Sequence, residues 1–196
     1  MADSLIITVG LPFQIIQSNK LLGVNMIYSI LLAFILGVPN SHAFQISIQF
    51  GGDASSQVQA KIERVRDRVV AIVNSNEFKQ EVMKISRFKC FDSDNLPEDV
   101  KTISDVLDYI EKTHAQIKIS FFYEESRVSA STGTRIISFN TYHFNDAVDS
   151  ETANTLFHET LHTMDFGHCG KNNIRFFPKI KKSIPYRFGD IVESLY

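Results

Sequence analysis

The sequence predicts an α+β domain, a mixed α/β layer with a small mixed sheet, backing helices and a late helix that presents a polar face. Two-residue alternation of apolar side chains recurs at residues 44–50, 117–123 and 134–141. Apolar positions between these stretches recur at three and four residues. The last periodic stretch, residues 149–164, sets its apolar residues on one arc and two histidines on the other. Strand, helices, strands and a final helix, with no internal repeat, describe one layered domain.

In the first strand Ile46, Ile48 and Phe50 alternate with Gln45, Ser47 and Gln49, and Gly51-Gly52 ends it. Ser55 or Ser56 can cap the next helix, whose buried stripe is Val58, Ile62, Val65, Val69 and Ile72. Its charged face, with Lys61, Arg64 and Arg68, reads as a solvated surface. Phe78, Val82 and Ile85 continue at helical spacing after a break at Ser75-Asn76. Residues 87–94 read as extended chain and loop. Pro97 and the acids beside it predict a helix start at residues 95–99, with Val100, Ile103, Leu107 and Ile110 buried and His114 capping the far end. Ile117, Ile119, Phe121 and Tyr123 then alternate with polar residues. A polar turn around residues 131–133 leads to a strand at 134–141, expected to lie antiparallel to its predecessor.

The chain has 196 residues, 44% of them apolar and 21% charged, which suits a single globular core. A net charge of −2 gives no general attraction to nucleic acid. Lys171, Arg175, Lys179, Lys181, Lys182 and Arg187 form the one basic cluster, read as a solvated surface or as a bias of a nearby cleft towards acidic partners.

Residues 1–43 differ from the rest. The stretch 21–38 is apolar apart from Asn25, Tyr28 and Ser29, follows Lys20, and precedes Pro39-Asn40-Ser41-His42-Ala43. That layout predicts a signal peptide cleaved after Ala43, with an uncleaved membrane anchor as the rival. Either reading sends the domain at 44–196 out of the cytoplasm. A membrane partner is expected only in the uncleaved case. Cys90 and Cys169 then suggest one disulfide, with a Cys169 thiolate at a metal as the alternative.

The chemistry is concentrated in Phe157-His158-Glu159-Thr160-Leu161-His162-Thr163-Met164-Asp165-Phe166-Gly167-His168. On a helix, His158 and His162 share a face and can grip one metal ion, with Glu159 placed to act as a general base. Ala153, Leu156, Phe157, Thr160, Leu161 and Met164 fall on the core-facing arc. Zinc suits such a site because a catalytic zinc takes three protein ligands and acidifies a water. Lone histidines such as His42 and His143 are read as structural.

The run His158-Glu159-x-x-His162-x-x-Asp165-x-x-His168 resembles the long zinc signature of the metzincin metallopeptidases, H-E-x-x-H-x-x-G-x-x-H. The resemblance implies a zincin-type fold with a minimal C-terminal subdomain, Zn2+ on His158, His162 and His168, and Glu159 as base. It also implies an edge strand that holds a peptide substrate extended, sought between residues 117 and 130. Asp165 stands where the clan has glycine, a substitution that aspartate's tolerance of the left-handed region permits. If the helix ran on, Asp165 itself would be the third ligand; Glu193 is another candidate. Ser183-Ile184-Pro185-Tyr186 resembles the frame of some Met-turns with proline in the methionine's place, and Tyr186 can serve a developing oxyanion. The expected activity is an exported zinc metalloendopeptidase acting on peptides or proteins. The alternatives are a zinc hydrolase of another amide, such as a cell-wall peptide, and a non-catalytic metal-binding protein.

Overall fold

Alternation places Ile46 in the core and leaves Gln45, Ser47 and Gln49 outside, so that Gln45–Phe50 forms strand β1. The computed structural model of the chain describes residues 43–52, 54–85, 100–126, 128–168 and 183–196, all within the unit His42–Tyr196. After β1 come helices α1 (Ser56–Val73), α2 (Asn76–Met83) and α3 (Ile103–Glu111), strands β2 (His114–Phe122), β3 (Ala130–Gly133) and β4 (Ile136–Asn140), then α4 (Thr141–Phe144), α5 (Asp149–Thr163) and α6 (Ile184–Leu195). Among the described residues this is an α+β layer fold with one four-stranded mixed sheet and six helices. None of those helices is long and apolar enough to cross a membrane.

The caps follow the local chemistry. The hydroxyl of Ser55 accepts from Val58 N–H at 3.3 Å and that of Ser75 from Phe78 N–H at 3.1 Å. Helix α3 starts at Ile103 because Thr102 and Asp105 form a reciprocal capping box. Val100 is therefore buried ahead of the helix rather than within it, and the expected start at residues 95–99 lies outside the described residues. His114 opens β2 instead of closing a helix, and its Nε2 stands 2.6 Å from the Ser47 hydroxyl on the neighbouring strand.

The sheet order is β1-β2-β4-β3. β1 and β2 pair in parallel from Gln45 opposite His114, and β2 and β4 pair in parallel from Lys118 opposite Ile136. The antiparallel pairing expected for β2 and β4 is thus incorrect. The residues read as a turn contain a strand of their own. Ala130–Gly133 pairs antiparallel with β4, and the reversal lies beyond it, where Arg135 takes a positive φ of 57°. The chain crosses from the end of β2 to the far side of β4 before turning back. β3, and not any part of β2 from residue 118 onwards, is the edge next to α5.

Buried Asn140 fixes that crossing. Its Nδ2 donates to the carbonyls of Glu124 at 2.7 Å and Val128 at 2.8 Å. Its Oδ1 accepts from the N–H groups of Glu124 and Tyr142, both at 3.1 Å. Phe44, Phe78, Phe157 and Phe188 meet edge to face with centroids 5.7–5.8 Å apart, tying the residue just before β1 to α2, α5 and α6 in one core.

Candidate metal centre

Helix α5 starts at Asp149, where the periodic stretch begins. Val148 is the N-cap residue, and the Glu151 carboxylate accepts its N–H at 3.3 Å. The carboxylate of Asp149 is taken by Arg64, at 2.9 Å from Nε and 3.2 Å from Nη2. Ala153, Leu156, Phe157, Thr160, Leu161 and Met164 are all buried, as the helical wheel requires. The opposite arc is covered too, with His158 9% and Glu159 8% exposed, because β3 and α6 close over it.

The end of α5 determines where the third histidine falls. Asp165 adopts φ 67°, in the left-handed region. Its N–H donates to the His162 carbonyl at 3.2 Å, and the Phe166 N–H donates to the Leu161 carbonyl at 3.1 Å. These two bonds are the Schellman closure that usually employs glycine. Phe166 is buried beyond the turn, and its carbonyl accepts from His162 Nδ1 at 2.6 Å. The chain then doubles back and brings His168 to the other two imidazoles.

His162 Nε2 lies 3.2 Å from His158 Nε2 and 3.0 Å from His168 Nε2. Among the described residues these three form a group that could hold a metal ion. Asp165 is exposed and opens instead on a separate pocket with Tyr109 and His114. Glu193 accepts from Asn154 Nδ2 at 2.6 Å and is not part of the group. Cys90, Cys169, His42 and the basic cluster apart from Arg187 lie outside the described residues. His143 is not part of the group either, and its Nε2 stands 2.6 Å from the Ser126 carbonyl.

Electrostatics favours a neutral, lone-pair-bearing imidazole at His158. Burial, with His162 and His168 alongside, pushes the His158 pKa down to about 3. A carbonyl can only accept, so His162 carries its proton on Nδ1 and turns the Nε2 lone pair towards its neighbours. Burial pushes the Glu159 carboxyl up, against the opposing pull of the Thr132 hydroxyl and His162.

Two partners had no signal in the sequence. The Thr132 hydroxyl, on edge strand β3, donates to Glu159 Oε2 and stands 3.3 Å from the Glu159 carbonyl. Ser183, fully buried at the start of α6, places its hydroxyl 2.9 Å from His168 Nδ1. Tyr186 packs its ring 4.5 Å from that of His158 and stacks on that of His168 at 4.9 Å. Burial, followed by Glu159 and Asp190, raises its hydroxyl pKa. Helix α6 can come this close because Gly189 faces Asn154, where a Cβ would fall 2.3 Å from the amide oxygen.

His158, Glu159, His168 and Tyr186 line a cleft of about 1380 Å³ that also borders Ala130 on β3 and exposed Tyr123 and Tyr142. The sequence placed His158, Glu159, His162, His168 and Tyr186 together, and the fold brings them together. Comparisons of the chain with family models, with curated proteins and with solved structures give no significant match.

Proposed function

We propose that this is an exported zinc-dependent metallohydrolase that cleaves peptide bonds, with His158, His162 and His168 as ligands and Glu159 as general base. The observation that carries the reading is the approach of His158 Nε2 and His168 Nε2 to His162 Nε2, at 3.2 and 3.0 Å, with all three ligand atoms within 4.8 Å of one another. Nitrogens bound to one tetrahedral zinc at about 2.0–2.1 Å lie roughly 3.3 Å apart, so the spacing fits. The single lone pair on His162 Nε2 cannot accept fully from both neighbours, whereas one cation satisfies all three rings. Zinc, when bound, supplies a Lewis acid and an acidified water at neutral pH.

The chain's own residues would do the rest. Glu159 takes the proton of the attacking water and returns it to the leaving nitrogen as the C–N bond breaks. Thr132 holds one oxygen of that carboxylate and leaves the other to receive the proton. Tyr186, packed on two of the histidines, directs its hydroxyl to the carbonyl oxygen as charge develops there. Strand β3, the outer strand of the sheet among the described residues, would pair with an extended substrate beside the site.

Removing metal with a chelator should abolish cleavage of an unfolded protein substrate, and stoichiometric zinc should restore it. Glu159→Gln should lower the rate on the order of 10²–10⁴-fold with zinc retained. Retained zinc without Glu159-dependent cleavage would instead support the non-catalytic metal-binding reading.

A further inference from the structure

We propose that Ser183 serves both tautomers of His168: its hydroxyl donates to Nδ1 when no metal is bound and accepts from Nδ1–H when one is. This rests on the metal-site reading above. Ser183 is the N-cap residue of α6, where a serine ordinarily bonds the N–H two or three residues on, yet its hydroxyl makes no such bond. It is fully buried and points to His168 Nδ1 at 2.9 Å.

The need for a two-way partner follows from His162. Because His162 gives its Nδ1 proton to the Phe166 carbonyl, its Nε2 can only accept. The 3.0 Å contact between the Nε2 atoms of His162 and His168 is therefore a hydrogen bond only when His168 carries its proton on Nε2. His168 Nδ1 is then a bare lone pair, and the Ser183 O–H is the donor beside it. A metal reverses the requirement. His168 must turn a lone pair inward from Nε2 and hold its proton on Nδ1, and Ser183 Oγ then accepts. One proton leaves Nε2 and one arrives at Nδ1, so the imidazole stays neutral in both states.

A carbonyl or carboxylate in this position would accept only and would fix one tautomer, as the Phe166 carbonyl does for His162. A hydroxyl reverses by rotating about one bond. The cluster can thus stay assembled without metal and receive it without moving the chain, which makes Ser183 a positioning residue acting through His168.

The test uses the full chain. Ring-nitrogen NMR of the wild type should show His168 protonated on Nε2 without zinc and on Nδ1 with it, while His162 stays protonated on Nδ1 throughout. In chelator competition, Ser183→Ala should weaken zinc binding by roughly ten- to a hundredfold, and Ser183→Thr should recover most of the loss. An unchanged His168 tautomer, or Ser183→Ala affinity within about twofold of wild type, would overturn the proposal while leaving the metal site standing. If Ser183→Ala does not fold, the wild-type tautomer measurement decides alone. A wild type that binds no zinc overturns both readings.

Discussion

His158 is buried beside two other imidazoles, and the consequence is measurable. Its pKa is pushed from the ordinary 6.5 to about 3 by burial and by its two histidine neighbours. Between those values the unfolded chain binds a proton that the folded chain refuses, so stability falls as pH drops through that window. Glu159 acts with the opposite sign. Its raised pKa makes the folded state hold a proton above the ordinary 4.5, a contribution lost as pH rises. Metal-free wild type should therefore lose denaturation midpoint on acidification below about pH 6.5. His158→Gln should show a visibly flatter pH dependence, and equal slopes would mean that His158 does not stay neutral in the fold. Thr132 and Ser183 were not legible at this scale. A hydroxyl's partner is set by what lies opposite it in space, and Ser131-Thr132-Gly133 reads locally as a turn.

At the scale of the element, the end of α5 carries the most information. Aspartate at a left-handed position costs roughly 1 kcal/mol relative to glycine, whose absent Cβ removes the clash. Asp165→Gly is accordingly expected to raise stability by up to about 1 kcal/mol with the zinc site intact, whereas Asp165→Val should destabilise and loosen His168. Chemical denaturation with metal titration checks both. This turn was readable because the offset of six residues from His162 to His168 and the permissiveness of aspartate both lie in the sequence. The strands were less so. Alternation marked β1, β2 and β4, but nothing local told that β2 and β4 run parallel, since that depends on the crossing fixed by Asn140. Four residues as small and polar as Ala130–Gly133 form a strand only because β4 offers them a paired edge.

The whole molecule adds charge to the cleft. Besides Glu159, its described lining includes Asp146, Glu151, Asp190 and Glu193 and no lysine or arginine. Lys61 lies near the wall but gives its ammonium to the carbonyls of Phe144 and Ala147. The basic cluster that suggested acidic partners lies, except for Arg187, outside the described residues, and the described wall has the opposite sign. Peptides bearing lysine or arginine near the scissile bond should therefore be cleaved faster than acidic ones of equal length, with the advantage shrinking as salt screens it. Equal rates at low salt would show that the wall does not select.

Everything proposed for the site passes through one ion on three histidines. The most direct measurement is elemental analysis of purified wild-type protein and of His168→Ala, each assayed in the same preparation for peptide cleavage alongside Glu159→Gln. The prediction is close to one zinc per wild-type chain with cleavage, a large loss of zinc in His168→Ala, and zinc without cleavage in Glu159→Gln. Wild-type protein that takes up no zinc when offered it, or that cleaves as well without Glu159, would contradict it.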